Sequence, residues 1–236
     1  MNSNKLKLIA CISMFIDHLG YLVFPQFVWL RYIGRLAMPI FAFSIAEGCR
    51  HTKNKFRYFS SLMILAVLCE AVYLLQQYSS GGITAIQLNV LFTLALSVPL
   101  ASLYLGIEAG KKGASLFFTL YLAVLIGLTY LFNNSAEILG LSITLDYGIA
   151  GILLCFMPIL CKEKGRRLAA FSVGVLVYCL LIRGSLPYIW YSLLSIPLIA
   201  LYNGKRGSKK FKYAFYLFYP LHLAAIYGLD LLLQRV

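Results

Sequence analysis

From residue 6 onward the chain consists of long apolar runs divided by short polar breaks, without two-residue alternation and without narrow amphipathic stripes. An α-helix needs about 20 residues to cross about 30 Å of hydrocarbon. Candidate spans of about that length fall at residues 6–24, 31–49, 58–77, 88–106, 114–132, 143–160, 168–183, 186–202 and 213–232. The pattern predicts an all-α polytopic membrane protein of about nine transmembrane helices, forming one domain over residues 1–236. A β-barrel would show short alternating segments instead. The connections are short, so consecutive spans are expected to pack antiparallel. No linker, low-complexity tract, soluble domain or internal repeat interrupts the series.

Composition agrees. Hydrophobic residues make up 61% of the chain and charged residues 12%, with a mean hydropathy of +0.82. That is too little charge to cover a soluble domain of this size. No small-residue cleavage site follows the first run, so the first span is expected to remain in place. The six cysteines mostly lie inside apolar runs with no C-x-x-C pair, and read as small core hydrophobes rather than a disulfide or zinc framework.

The net charge of +13 does not point to nucleic acid, because the basic residues sit in clusters between the apolar runs. With the N-terminus in the cytoplasm, all but four of the 21 basic residues face inward; Arg31, Arg35, Arg183 and Arg235 fall outside. This asymmetry predicts a cytoplasmic N-terminus and an extracytoplasmic C-terminus. The expected location is a bacterial inner (cytoplasmic) membrane, with lipid as a partner. Nothing in the sequence excludes a homo-oligomer.

Ionisable residues inside the spans carry the candidate chemistry. At 1.5 Å of rise per residue, His18, Arg35 and Glu70 lie about 4–7 Å outside the midpoints of their spans, and His222 lies near the midpoint of the last. A charge at mid-membrane costs about 2.5–3.5 kcal/mol on insertion scales, so these groups are expected to face the bundle interior and find partners. Asp17 and His18 are adjacent, and adjacent side chains on a helix diverge by about 100°. They should therefore engage different neighbours, with Asp17 balancing a residue such as Arg35. Arg31 suits interfacial snorkelling, whereas Arg35 lies deep enough to bind a carboxylate or an anionic substrate. Glu47 and His51 are spaced as a local helix-end pair. In "YAFYLFYPLHL", Pro220 is expected to free the Tyr216 carbonyl beside His222. The basic loops "CRHTKNKFR" and "LYNGKRGSKKFK" could cradle the phosphates of a cytosolic nucleotide cofactor. The chain carries no G-x-S-x-G, H-E-x-x-H, P-loop or G-x-G-x-x-G sequence, and no metal site is expected.

The strings "IDHLG", "LRYIGRLAMPIFAFSIAEGCRHTKN", "QLNVLFTL", "LDYGIAGILL", "LYNGKRG" and "FYLFYPLHL" resemble, in this order, the TraX family, whose namesake is required for N-terminal acetylation of conjugative F-pilin. The resemblance spans about residues 7 to 227. That family in turn resembles the broader transmembrane acyltransferases, which bind acyl-CoA from the cytosol and pass the acyl group across the membrane. The resemblance implies that acetyl-CoA is the co-substrate and that a peptide N-terminus or surface glycan is the acceptor, giving an acyl-CoA-dependent N- or O-acetyltransferase. His18 corresponds to an early-span histidine of those enzymes, and the expected catalytic group is His18 with Asp17 and Arg35. Arg50, His51, Lys53, Tyr202, Asn203, Lys205, Arg206 and His222 are the expected cofactor-binding residues. Glu70, Asn89, Asp146 and Tyr147 are the expected substrate-binding residues. "CEAVY" stands where an "SEIPF"-like segment is usual; it lacks the proline and keeps Glu70. A small-solute or proton-coupled transporter would need similar mid-membrane groups. A non-catalytic assembly factor would tolerate their loss.

Overall fold

Helix α1 (Ser3–His18) begins where the Asn2 side chain accepts from the Lys5 amide at 3.0 Å, satisfying one orphan donor of the first turn. At His18 it passes into one π-helical turn, Leu19–Val23, closed by the Phe24 amide on the Leu19 carbonyl at 2.9 Å. In this computed structural model the described residues are 1–79, 82–83, 85–134, 142–182, 184, 187–208 and 211–233. Arg183, Lys209, Lys210 and Arg235, used above to assign orientation, lie outside them.

The second predicted span is broken into α2 (Trp29–Gly34) and α3 (Ala37–His51). Pro39 explains the break. It has no amide hydrogen, and its ring excludes a normal helical bond to the carbonyl four residues back. That carbonyl belongs to Arg35, and the Ser192 hydroxyl donates to it instead at 3.1 Å. Arg35 is thus fixed at a corner inside the bundle.

Helices α4 (Lys55–Ser79), α5 (Val90–Glu108), α6 (Ala114–Asn134), α7 (Gly148–Phe156), α8 (Lys164–Ile182), α9 (Ser195–Ala200) and α10 (Phe211–Leu233) complete the helical framework. A 3₁₀ turn, Met157–Leu160, extends α7, and a longer 3₁₀ segment, Pro187–Leu194, leads into α9. Five helical stretches have the length and apolarity to cross a membrane: Ser3–Val23, Lys55–Tyr78, Val90–Glu108, Ala114–Phe132 and Lys164–Ile182. Gly148–Leu160 and Tyr188–Ala200 are shorter apolar helices.

The chain is mostly helical, with one correction to the all-α expectation. Strands β1 (Ala85–Leu88) and β2 (Ser142–Leu145) pair in parallel, Ala85 opposite Ser142 through Leu88 opposite Leu145. The Asp146 amide continues the ladder by donating to the Leu88 carbonyl at 2.9 Å. The sixth predicted span therefore starts as a strand. Each strand pairs the backbone groups of the other.

Small buried residues let the helices approach closely. Ala10 of α1, Ala42 and Cys49 of α3, Ala66 of α4, and Ala95 of α5 are fully buried. Helix α6 turns Leu116, Phe117, Leu120 and Val124 outward, an apolar surface suited to lipid.

The basic loops gather at one end of the bundle. The amino group of Met1 donates to the Leu201 carbonyl at 2.7 Å, and the Ser3 amide donates to the Lys205 carbonyl at 3.1 Å. Arg50 donates to the carbonyls of Ile159 and Cys161 at 2.5 and 2.7 Å, and Lys162 lies 3.7 Å from Glu108. The residue-3, residue-50, residue-110, residue-162 and residue-205 segments thus share the N-terminal end. The β1–β2 pair and the π-helical turn lie toward the other end.

Candidate functional site

Asp17 and His18 sit at the junction between α1 and its π-helical turn, and they serve two different clusters. The Asp17 carboxylate is held by two arginines: Arg35 donates to Oδ1 at 2.5 Å and Arg31 to Oδ2 at 2.9 Å. Arg35 also donates from Nε to the Arg31 carbonyl at 3.2 Å. The Arg35 side chain is 4% exposed and that of Asp17 is 14% exposed, so Arg35 is buried and Asp17 half-buried. Arg31 does not simply snorkel as expected. Its guanidinium grips Asp17 and lies 4.9 Å from the centre of the Tyr21 ring. Asp146, Tyr147 and Tyr178 lie within electrostatic reach of Arg35, and the rings of the two tyrosines are 5.7 Å apart. Tyr147 takes a left-handed backbone with φ of 58° at the start of α7, an uncommon conformation outside glycine. The Thr93 hydroxyl donates to the Asp146 carbonyl just before it.

His18 faces another group. Its Nδ1 lies 3.0 Å from the Met14 carbonyl and 3.3 Å from Nε2 of His222. Its Nε2 lies 3.4 Å from the Tyr73 hydroxyl. His222 is buried, stacks on Phe218 with centroids 4.7 Å apart, and directs Nδ1 at the Phe218 carbonyl at 2.9 Å. A carbonyl only accepts, so both Nδ1 atoms carry the hydrogen and both Nε2 atoms present lone pairs. The sequence places His222 among the donor-binding residues, whereas in the structure it stands beside His18. Tyr73 was not foreseen; its spacing of three residues from Glu70 puts it near the same helix face.

A cavity of about 150 Å³ opens near the N-terminal end of the bundle and runs between α1, α3, α4, α5 and α10. Lys7 and Arg206 stand among its polar lining residues, and Phe41, Leu65, Leu94 and Phe215 form apolar wall. Ser44 lines it too; it is 8% exposed, and its Oγ has no hydrogen-bond partner among the described residues. Such an orphaned buried hydroxyl is uncommon. Tyr219 also lines the cavity, and its ring centre is 6.4 Å from that of His222. The cavity therefore ends one aromatic ring from the histidine pair.

The remaining predicted residues divide between cavity, surface and scaffold. Arg206 lines the cavity, and Lys53, Lys205 and His51 are exposed at the same end. Arg50 is engaged by the Ile159 and Cys161 carbonyls. Tyr202 is buried against Phe43, and Asn203 shapes a turn by accepting from the Lys205 amide at 3.1 Å. Glu47 pairs with Arg167 at 2.6 Å as well as with His51 at 3.7 Å. Glu70 and Asn89 bind each other: Glu70 accepts from the Asn89 amide at 3.1 Å and from its side chain at 2.9 Å. Asn89 also caps α5 by accepting from the Leu91 amide at 3.1 Å, and donates to the Ala66 carbonyl at 3.0 Å. Both of its side-chain donor hydrogens are engaged. Among the described residues, no group of three or more His, Cys, Asp or Glu side chains is placed to hold a metal ion.

These features define a helical, multi-pass membrane protein with a histidine pair, His222 buried and His18 half-buried, next to a cavity. The model of the family described as TraX protein matches residues 2–230, and the chain belongs to the TraX family. It is 28% identical over 247 residues to a probable fimbrial assembly protein FimC, serogroup H1, of Dichelobacter nodosus, covering 98% of this chain and 96% of that one. It is 50% identical over 38 residues to the uncharacterized protein RP591 of Rickettsia prowazekii (strain Madrid E), covering 16% of this chain and 15% of that one. No solved structure matches.

Proposed function

We propose that this protein is an acetyltransferase of the bacterial cytoplasmic membrane, moving an acyl group from cytosolic acyl-CoA to an amine or hydroxyl at the far face. The observation that carries the proposal is the placement of the His18–His222 pair, 3.3 Å apart, one ring beyond the cavity at the basic end. Four features support it. The cavity joins a basic, polar mouth to apolar walls, which suits a phosphate-bearing thioester with a long arm. His18 lies eleven residues beyond Lys7 on α1, about 16 Å along the helix, a distance a long thioester arm can cover. The histidines supply the general base that acyl transfer to an amine or hydroxyl requires. Arg35 stands close by, and its charge would favour an oxyanion in a dry site.

The full proposal has nine spans, an inward N-terminus and an outward C-terminus. The basic end then faces the cytosol, and the Asp17–Arg31–Arg35 cluster faces the acceptor. The acceptor class is a peptide N-terminus or a surface glycan. Family membership and the name of the Dichelobacter relative favour a surface-appendage peptide.

The test is purified, reconstituted protein incubated with isotope-labelled acetyl-CoA and host surface peptides and glycans, followed by mass spectrometry. The account predicts acetyl-CoA binding and acetyl-labelled acceptor. Solute flux into vesicles without acetyl-CoA binding would favour a transporter.

A further inference from the structure

The two histidine rings have four nitrogens, and all four are engaged. Two of their partners, the Met14 and Phe218 carbonyls, have no proton to give. The third partner is the Tyr73 hydroxyl. Because His18 Nδ1 carries its hydrogen toward Met14, His18 Nε2 must accept, so Tyr73 donates to it across 3.4 Å. The Tyr73 ring meets that of Tyr227 edge to face, with centroids 5.8 Å apart. The result is a polarised chain from Tyr73 through His18 to the lone pair on His222 Nε2, both links pointing the same way.

The chain also has a direction in the bundle. Counting about 1.5 Å per residue from the start of each helix at the basic end, Tyr219 and His222 lie at about 12 and 16 Å, His18 at about 22 Å, and Tyr73 at about 27 Å. One terminus adjoins the cavity through Tyr219, and the other points to the face with Arg31 and Arg35.

We infer that Tyr73 is the proton gateway of the site: the acceptor nucleophile gives up its proton to the Tyr73 oxygen, not directly to a histidine. This rests on the acyl-transfer reading. As the acceptor's N–H or O–H bond breaks, its proton goes to Tyr73, the proton of Tyr73 moves to His18 Nε2, and the Nδ1 proton of His18 moves to His222 Nε2. The acceptor atom bonds to the thioester carbonyl carbon, the carbon–sulfur bond breaks, and the thiolate leaves with the sulfur's electron pair. His222, next to the donor cavity, returns the proton to that thiolate, and the product is a thiol. The histidine pair thus takes a proton at the acceptor end and releases it at the donor end. Catalytic hydrogen bonds are often long in an unoccupied site and shorten when substrate binds, which accommodates the 3.3 and 3.4 Å links.

The test compares the full-length chain with Tyr73→Phe, and with 3,5-difluorotyrosine at position 73, in acetyl transfer from acetyl-CoA. Tyr73→Phe is expected to lower kcat by about 10²- to 10⁴-fold, the range of general acid–base catalysis, while acetyl-CoA binding and Tm stay at wild-type values. The fluorinated residue preserves shape and makes the hydroxyl more acidic, so the pH profile of kcat should move to lower pH. A Tyr73→Phe chain within threefold of wild-type kcat overturns the gateway, as does an unmoved pH profile if the phenylalanine variant fails to fold. A wild-type chain that binds acetyl-CoA and transfers to no acceptor overturns acyl transfer itself, a result distinguishable from failure of the gateway alone.

Discussion

The Asp17 carboxylate occupies the space that a side chain on residue 34 would need: a Cβ added to Gly34 would fall 2.0 Å from Asp17 Oδ1 and 2.4 Å from its Cβ. Glycine before Arg35 is what lets α2 close on α1 so that Arg31 and Arg35 reach one carboxylate. Gly20 permits the same close approach from the π-helical side, where an added Cβ would lie 2.6 Å from Cβ of Leu30. Gly34→Ala is therefore expected to destabilise the fold by about 1–3 kcal/mol, the usual range for overpacking. Denaturation in detergent checks this, and wild-type stability in Gly34→Ala would contradict the close approach.

Asp17→Asn removes the counter-charge from two arginines, one of them nearly inaccessible. Breaking a fully buried pair by removing one partner typically costs about 3–5 kcal/mol, so with Asp17 half-buried a loss of up to about 3 kcal/mol is expected in denaturation. Arg35→Gln together with Asp17→Asn should cost much less than the sum of the single changes. Additive losses in the double-mutant cycle would show that the two residues are not coupled.

The Pro39–Ser192 relationship predicts another cycle. Ser192→Ala leaves the Arg35 carbonyl without its donor, at a cost of about 1–3 kcal/mol. In a Pro39→Ala background the new amide can donate to that carbonyl, so the same serine change should be nearly silent. An equal loss in both backgrounds would reject the explanation of the α2–α3 corner.

Asn89 binds Glu70 and caps α5, so its first role is structural. Asn89→Ala is expected to lose about 0.5–2 kcal/mol, the range for losing an N-cap, whereas Asn89→Ser should keep most of the stability because serine also caps. If Asn89→Ser folded normally and abolished acetyl transfer, the side chain would have a direct role in substrate binding.

The sequence made much of this legible for identifiable reasons. Long apolar runs locate the helical segments because the thickness of the hydrocarbon sets their length. The divergence of Asp17 and His18 follows from 100° per residue, and the structure gives them separate partners. Arg35 is buried and pairs with a carboxylate, that of Asp17, and Glu47 meets His51 at helix spacing. The β1–β2 pair was not legible, because "AIQL" and "SITL" lie 57 residues apart and satisfy each other only in three dimensions. The corner at Arg35 depends on Ser192, a partner with no local signal. Tyr73 was missed because one tyrosine among 17 becomes a candidate only once His18 is seen beside it. Arg31 carries no sequence signal for its pairing with Asp17, because that pairing depends on how α2 folds back.

The central claim is that His18 and His222 act as one catalytic unit, and single-turnover acetyl transfer by His18→Gln, His222→Gln and the double variant tests it most directly. The account predicts that each single variant binds acetyl-CoA and keeps its Tm but loses about 10²- to 10⁴-fold in rate, and that the double variant loses little more than either single one, as expected for residues acting together. Wild-type turnover in either folded single variant would contradict it.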